Sequence, residues 1–169
     1  ATSDSLDLIN PVCLKAAMAP WPAASLEKRS INMERVMAAY RELSRRHDYM
    51  VVEGVGGIMV PIRRNVFVLD LIFRMRLSAV VVVRPGLGTL NHTLLTVAAL
   101  KREGIPLSGV IINQWQGKTR AERTNPRVLQ RLLKRRVIVV RQQPRFASDF
   151  DALAIHLKKQ GLFHWPHLP

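Results

Sequence analysis

Three short segments carry residues whose type and spacing suit chemistry. The first is Glu53-Gly54-Val55-Gly56-Gly57. An acid at the tip of an apolar run, followed by glycines, lets the backbone come close to a phosphate or a metal-bound oxyanion. Its carboxylate can hold Mg²⁺ directly or through water. The same residues also read as a tight turn with a solvated Glu. The second segment is Arg84-Pro85-Gly86-Leu87-Gly88-Thr89-Leu90-Asn91-His92. Glycines that open a helix leave free N–H groups for an anion. The spacing approaches a dinucleotide fingerprint, but Asn91 stands at the third glycine position, and a plain strand-to-helix loop reads equally well. The third is Asn113-Gln114-Trp115, where a side-chain amide offers both a donor and an acceptor to an adenine edge. An Asn at a strand end is also an ordinary turn former.

Other chemistries find no support. His47, His92, His156, His164 and His167 form no metal-ligand spacing with nearby acids, and no Ser-His-Asp arrangement is suggested. Cys13 is the only cysteine, which excludes an internal disulfide and a cysteine-based zinc site. Asn91-His92-Thr93 matches a glycosylation sequon, discounted because the N-terminal residues show no basic start and apolar stretch of a secretory signal. No run approaches the roughly 18 apolar residues of a membrane span. A reducing cytosol and no membrane partner are the expectation. The first residue is Ala rather than Met, which fits a processed chain or one cut from something longer.

The elements that must position these segments follow from periodicity. The chain has 169 residues, 48% of them apolar, enough for a real core. Four continuous apolar runs read as strands covered on both faces: Tyr49–Glu53, Ala79–Val83, Gly109–Asn113 and Val137–Val140. Helical spacing runs through 33–46, with Met33, Val36, Met37, Tyr40 and Leu43 on one face, and through 89–103, stopped by Gly104 and Pro106. Residues 66–76 read as a short helix. Asn125-Pro126 reads as the N-cap and first turn of a helix through Arg135. Ser148 and Asp151 read as a capping box for a last helix that Gly161 ends. This alternation predicts an α/β domain with a parallel sheet and helices on both faces, spanning 1–162, with a loose tail at 163–169. Each chemical segment then falls at the carboxyl end of a strand, where ligands bind in open α/β sheets.

The charge is lopsided. The net charge is +14 and the pI is near 11.3. Residues 118–145 hold ten Lys and Arg against one acid, Glu122. Such an excess invites nucleic acid, yet aromatics are only 6% and none alternates with the basic residues as a single-strand binder needs. A solvated basic face that draws anionic substrates is the reading, with no specific nucleic-acid partner.

Four stretches together resemble the dethiobiotin synthase family, the ATP-dependent enzymes of biotin biosynthesis. They are INPVCLKAAMAPWPAA, HDYMVVEGVGGIMVPI, VVVVRPGLGTLNHTLLTVAALKREGIPLSGVIINQW and NPRVLQRLLKRRVIVV. They occur in family order and cover most of residues 8–145. The resemblance implies a P-loop NTPase-like α/β fold, incomplete here with its first strands missing, that works as a homodimer. It implies carboxylation of an amine of 7,8-diaminopelargonic acid by CO₂, phosphorylation of the carbamate by ATP with Mg²⁺, and closure to a cyclic urea with release of ADP and phosphate.

The resemblance also implies roles. Glu53 would bind Mg²⁺, and Gly56 and Gly57 would line the reacting carbamate and the γ-phosphate. Gly88, Thr89, Leu90 and Asn91 would bind the substrate carboxylate of the neighbouring subunit. Asn113 would recognise adenine, and Gln143-Pro144 would wall the base. The departures are specific. No G-x-x-x-x-G-K-[ST] phosphate loop occurs in these residues, and the family's loop would lie upstream of residue 1. The usual Ser-Pro-His reads Ala19-Pro20-Trp21, the usual Ala of the glycine turn is Val55, and small residues at the last strand become Val139-Val140-Arg141. Asp4 lies too close to Asn10-Pro11 to take a metal-binding role. The expectation is an enzyme by family whose 169 residues alone are inactive. The alternatives are a non-catalytic P-loop-fold fragment and a basic nucleic-acid-binding module.

Overall fold

A computed structural model describes residues 3–143 and 150–159. The chain divides into two compact units between Arg76 and Leu77.

In the first unit, α1 (Leu6–Ile9), α2 (Pro20–Leu26) and α3 (Met33–Arg46) precede a small antiparallel pair, β1 (Pro61–Arg63) and β2 (Val66–Phe67), and then α4 (Val68–Arg74). Asn32 starts α3, its side-chain oxygen accepting from the amides of Glu34 and Arg35 at 2.9 and 3.1 Å. Such a cap stabilises a helix by about 1 kcal/mol. The expected helix at 66–76 begins two residues late because Val66 and Phe67 pair with β1 instead. The Asp70 carboxylate then accepts from the Phe67 amide at 2.6 Å and begins α4. The core joins Ala24, Ile31, Met33, Ile62 and Val68, so α2, α3, β1 and α4 meet around it. Asp4 is held at the end of α3: its carboxylate takes Arg46 at 3.0 Å and the His47 ring at 2.5 Å. Hydrogen bonds from Arg46 to Glu42 and Asp4 raise the guanidinium's pKa above its ordinary value.

Tyr49–Glu53 is not a strand. It runs without a ladder partner among the described residues, and Val51 is 96% exposed. Apolar composition suits a strand covered on both faces, but a strand exists only through pairing, and no described segment pairs with this one.

The second unit carries the parallel sheet. β3 (Ala79–Val83), β4 (Leu107–Trp115) and β5 (Val137–Arg141) lie in that order, joined by α5 (Thr89–Arg102) and α6 (Arg120–Leu133). Helices lie on both faces, but α7 (Phe150–Lys159) covers only the β4 and β5 side of its face: Val80 and Val82 of β3, on the same face as Ile111, are 42% and 59% exposed. Val110 and Ile112, fully buried, share one face. Ile111 points the other way with Ile138, where Ala152, Leu153 and Leu157 of α7 close over them. Leu100 of α5 and Leu129 of α6 are 1% and 0% exposed. Burying each contributes roughly 1.5–3 kcal/mol.

α6 corrects the sequence reading. It begins at Arg120, where the Thr119 hydroxyl accepts from the Glu122 amide at 3.2 Å. Asn125 and Pro126 therefore lie inside the helix rather than at its start. The expected cap at Ser148 and stop at Gly161, and the tail 163–169, fall outside the described residues.

Candidate functional site

The residues singled out in the sequence divide between the two units. Glu53, Gly56 and Gly57 belong to the first. Gly88, Thr89, Leu90, Asn91, Asn113 and Gln143 belong to the second. Pro144 lies outside the described residues.

In the first unit the glycine turn is pressed onto α4. A Cβ at Gly54 would come within 2.7 Å of Val68 Cγ1, so only glycine fits there without a shift. Gly56 has φ +69°, a left-handed conformation suited to glycine. Backbone bonds from Val60 to Gly57 at 2.9 Å and from Leu69 to Ile58 at 2.8 Å hold the turn against the start of α4. Glu53 leads into this turn with an exposed carboxylate that has no side-chain partner among the described residues. No group of three or more His, Cys, Asp and Glu stands together among those residues. A single carboxylate is not a closed cage. It is a donor set that suits Mg²⁺ shared with phosphate oxygens and water.

In the second unit the loop after β3 turns at Gly88, whose φ of +89° is left-handed and natural only to glycine. α5 then opens at Thr89 with no side chain capping its first amides. Thr89 is buried and Asn91 exposed. The preceding loop is tied down from α6. Asn125, 5% exposed, donates through Nδ2 to the carbonyls of Pro85 and Gly86 at 2.9 and 3.1 Å. The misread Asn125 thus positions the loop that delivers Gly88.

Asn113 and Gln143 meet in one cleft of about 860 Å³ at the carboxyl ends of β4 and β5, together with Trp115, Lys118, Arg141 and Gln142. The Asn113 side-chain oxygen accepts from the Gln114 amide at 2.9 Å, and its NH₂ has no hydrogen-bond partner among the described residues. Gln116 and Gln142 are hydrogen-bonded through their side chains. Sequence reasoning named Trp115 only as the neighbour of Asn113, and Arg141 only as an atypical residue. An indole directly after the strand's polar end, with a cation at the end of the next strand, was the signal available.

These features define an α/β P-loop NTPase-like domain with its polar residues at the carboxyl ends of parallel strands. A family model described as the AAA domain matches residues 1–142. An ATP-dependent dethiobiotin synthetase of Thermodesulfovibrio yellowstonii is 44% identical over 140 residues, covering 78% of this chain and 58% of the relative. One from Bacillus velezensis is 45% identical over 134 residues, covering 79% and 58%. One from Bacillus subtilis is 35% identical over 162 residues, covering 95% and 69%. The chain belongs to the dethiobiotin synthetase family. It spans somewhat under two thirds of the length of the first two relatives. Among the described residues, no helix is long and apolar enough to cross a membrane.

Proposed function

We propose that this chain supplies the nucleobase end and the glycine turn of an ATP-dependent dethiobiotin synthetase. The reaction is carboxylation of 7,8-diaminopelargonic acid by CO₂, phosphorylation of the carbamate by ATP, and ring closure to dethiobiotin, ADP and phosphate. The observation that carries the reading is the cleft in which Asn113 and Gln143 stand together at the ends of two parallel strands. In this reading the free NH₂ of Asn113 donates to a ring nitrogen of adenine, and the segment from Gln143 to Pro144 walls the base. The amides opening α5 at Gly88, Thr89, Leu90 and Asn91 take the substrate carboxylate of a second copy in a cytoplasmic homodimer.

Glu53 is the residue that would hold Mg²⁺, which neutralises phosphate charge when bound. Gly56 and Gly57 present a backbone without side chains to the carbamate and the terminal phosphate. Residues 1–169 contain no phosphate loop of the G-x-x-x-x-G-K-[ST] type. The amides and lysine of such a loop contribute several kcal/mol of positioning and charge stabilisation. Assayed alone with ATP, Mg²⁺, bicarbonate and the diamino acid, residues 1–169 are therefore expected to form no detectable dethiobiotin.

The positive test uses the same chain joined to a family phosphate-loop segment. It should turn over, and Glu53→Gln should lower turnover by roughly tens of fold while leaving the urea midpoint unchanged. Wild-type turnover of Glu53→Gln at saturating Mg²⁺ removes Glu53 from the site. Dethiobiotin formation by residues 1–169 alone overturns the inactivity.

A further inference from the structure

The cleft beside Asn113 contains an aromatic ring, Trp115, with polar and backbone contacts on several sides. Its support begins with Pro126, inside α6. Proline has no N–H, so the Glu122 carbonyl four residues earlier loses its usual helix partner. The Trp115 indole N–H donates to that carbonyl instead, at 2.7 Å.

β4 re-aims the same ring. Gln114 sits at φ +57°, and the pairing with β5 slips between Ile112 and Trp115, so that Trp115 lies opposite Arg141. A slip of this kind turns a side chain toward a site at a strand end. The Arg141 guanidinium carbon then stands 5.0 Å from the indole centroid, within cation–π range. The backbone of Gly117 presses on the indole as well: a Cβ there would come within 2.6 Å of the ring. Arg123 in turn holds that loop, donating to the Gly117 and Lys118 carbonyls at 2.8 and 3.1 Å.

Three contacts, from the Glu122 carbonyl, the Arg141 guanidinium and the Gly117 backbone, therefore fix one indole at the wall of a cleft whose other polar groups include two cations, Arg141 and Lys118. The exposed guanidinium lies over the indole, so the pair offers the cation's outer side, backed by the ring, as a surface for stacking an aromatic ligand, and the two cations select a ligand that carries negative charge. We infer that Trp115 and Arg141 form the stacking platform for the base of a nucleotide in this cleft. The inference rests on the nucleotide reading above and adds to it the residues that hold the base by stacking. Stacking uses the π-face that every base has, so the platform is tolerant of base identity. Only Asn113 reads an edge. ATP, GTP and CTP should then bind within about tenfold of one another, with adenine favoured through Asn113.

Nuclear magnetic resonance of residues 1–169 tests this with ATP, GTP, CTP and, as a base-free control, inorganic tripolyphosphate. The indole N–H signal of Trp115, assigned through Trp115→Phe, should move saturably with each nucleotide and stay in place with tripolyphosphate. Read from the Asn113 side-chain amide, Trp115→Ala should weaken ATP by about tenfold or more. Trp115→Phe, which keeps a ring, should stay within about threefold. Arg141→Ala, on the exposed side of the platform, should weaken ATP severalfold and carries the test if Trp115→Ala does not fold.

Unchanged ATP affinity in Trp115→Ala or Arg141→Ala, with the Asn113 signal still responding, overturns the platform and leaves the nucleotide reading standing. Tighter binding in Arg141→Ala shows that the guanidinium fills the base position, which also overturns it. Equal indole shifts with tripolyphosphate overturn base stacking. No response of any signal to any nucleotide overturns both readings.

Discussion

Gly54→Ala is expected to destabilise the first unit, although on the backbone alone the change should help. Alanine restricts the unfolded chain and stabilises by about 0.4–1 kcal/mol where its conformation is allowed. Gly54 does not require a positive φ, so nothing in the backbone forbids it. The obstacle is steric. The new methyl would lie 2.7 Å from Val68 Cγ1, where ordinary contact begins near 3.4 Å. Val68 is 4% exposed, packed in the core with Ile31, Met33 and Ile62, and its branched side chain has one favoured rotamer in a helix. It cannot swing aside as a long flexible chain could. Overpacking of this kind costs about 1–3 kcal/mol. The net loss is then about 0.5–2 kcal/mol, a fall in the urea midpoint of roughly 0.3–1.5 M at the usual slopes.

Urea unfolding followed by circular dichroism measures it, and Val68→Ala supplies the control. Alone it removes two buried methyl groups, at about 0.8 kcal/mol each plus a cavity. Combined with Gly54→Ala, it leaves the new methyl 3.9 Å from the residue 68 Cβ, an ordinary contact. The double variant should therefore be more stable than the sum of the singles by at least about 1 kcal/mol. A Gly54→Ala midpoint at or above wild type, or a strictly additive cycle, refutes the steric argument.

Two further outcomes are expected. Asn125→Ala removes both bonds to the Pro85 and Gly86 carbonyls, a cost of about 1–3 kcal/mol that helix propensity offsets only slightly, so Tm should fall by roughly 3–8 °C. Asn125→Asp, which turns an acceptor toward those carbonyls, should fall further, and an unchanged Tm in both would detach Asn125 from the loop. The Lys15 amide, at 2.6 Å, with help from Arg29, holds the Glu27 carboxyl below its ordinary pKa. A depressed folded value means stabilisation that is present above the ordinary glutamate range and lost as pH falls through the folded value. The Tm difference between wild type and Glu27→Gln should accordingly be steady near neutrality and shrink in acid; a difference that persists in strong acid counts against it.

Composition and periodicity were enough to indicate a parallel α/β architecture. The runs at 79–83, 109–112 and 137–140 are continuous rather than alternating, the pattern of strands in a parallel sheet. The helices at 33–46 and 89–102 were legible from one-sided spacing, because each must turn an apolar face to a core. Asn113 was legible as a candidate because a polar group at a strand end stands out against an apolar run, and Gln143 as a candidate only through the family resemblance.

Tertiary structure decided what pairing and neighbours decide. Tyr49–Glu53 has the composition of a strand, yet pairing is a property of two segments and cannot be read from one. Asn125-Pro126 has the local chemistry of a helix start. Thr119 caps α6 earlier, so Pro126 falls inside the helix and releases the Glu122 carbonyl to Trp115. Local propensity does not contain that consequence, since the indole lies eleven residues before the proline, on the strand β4, and meets the carbonyl only where the strand and α6 pack together. Residue types along the chain decided which groups were available for chemistry. The folded backbone decided which of them face one another, because contact between Trp115 and Arg141 requires two strands to lie side by side.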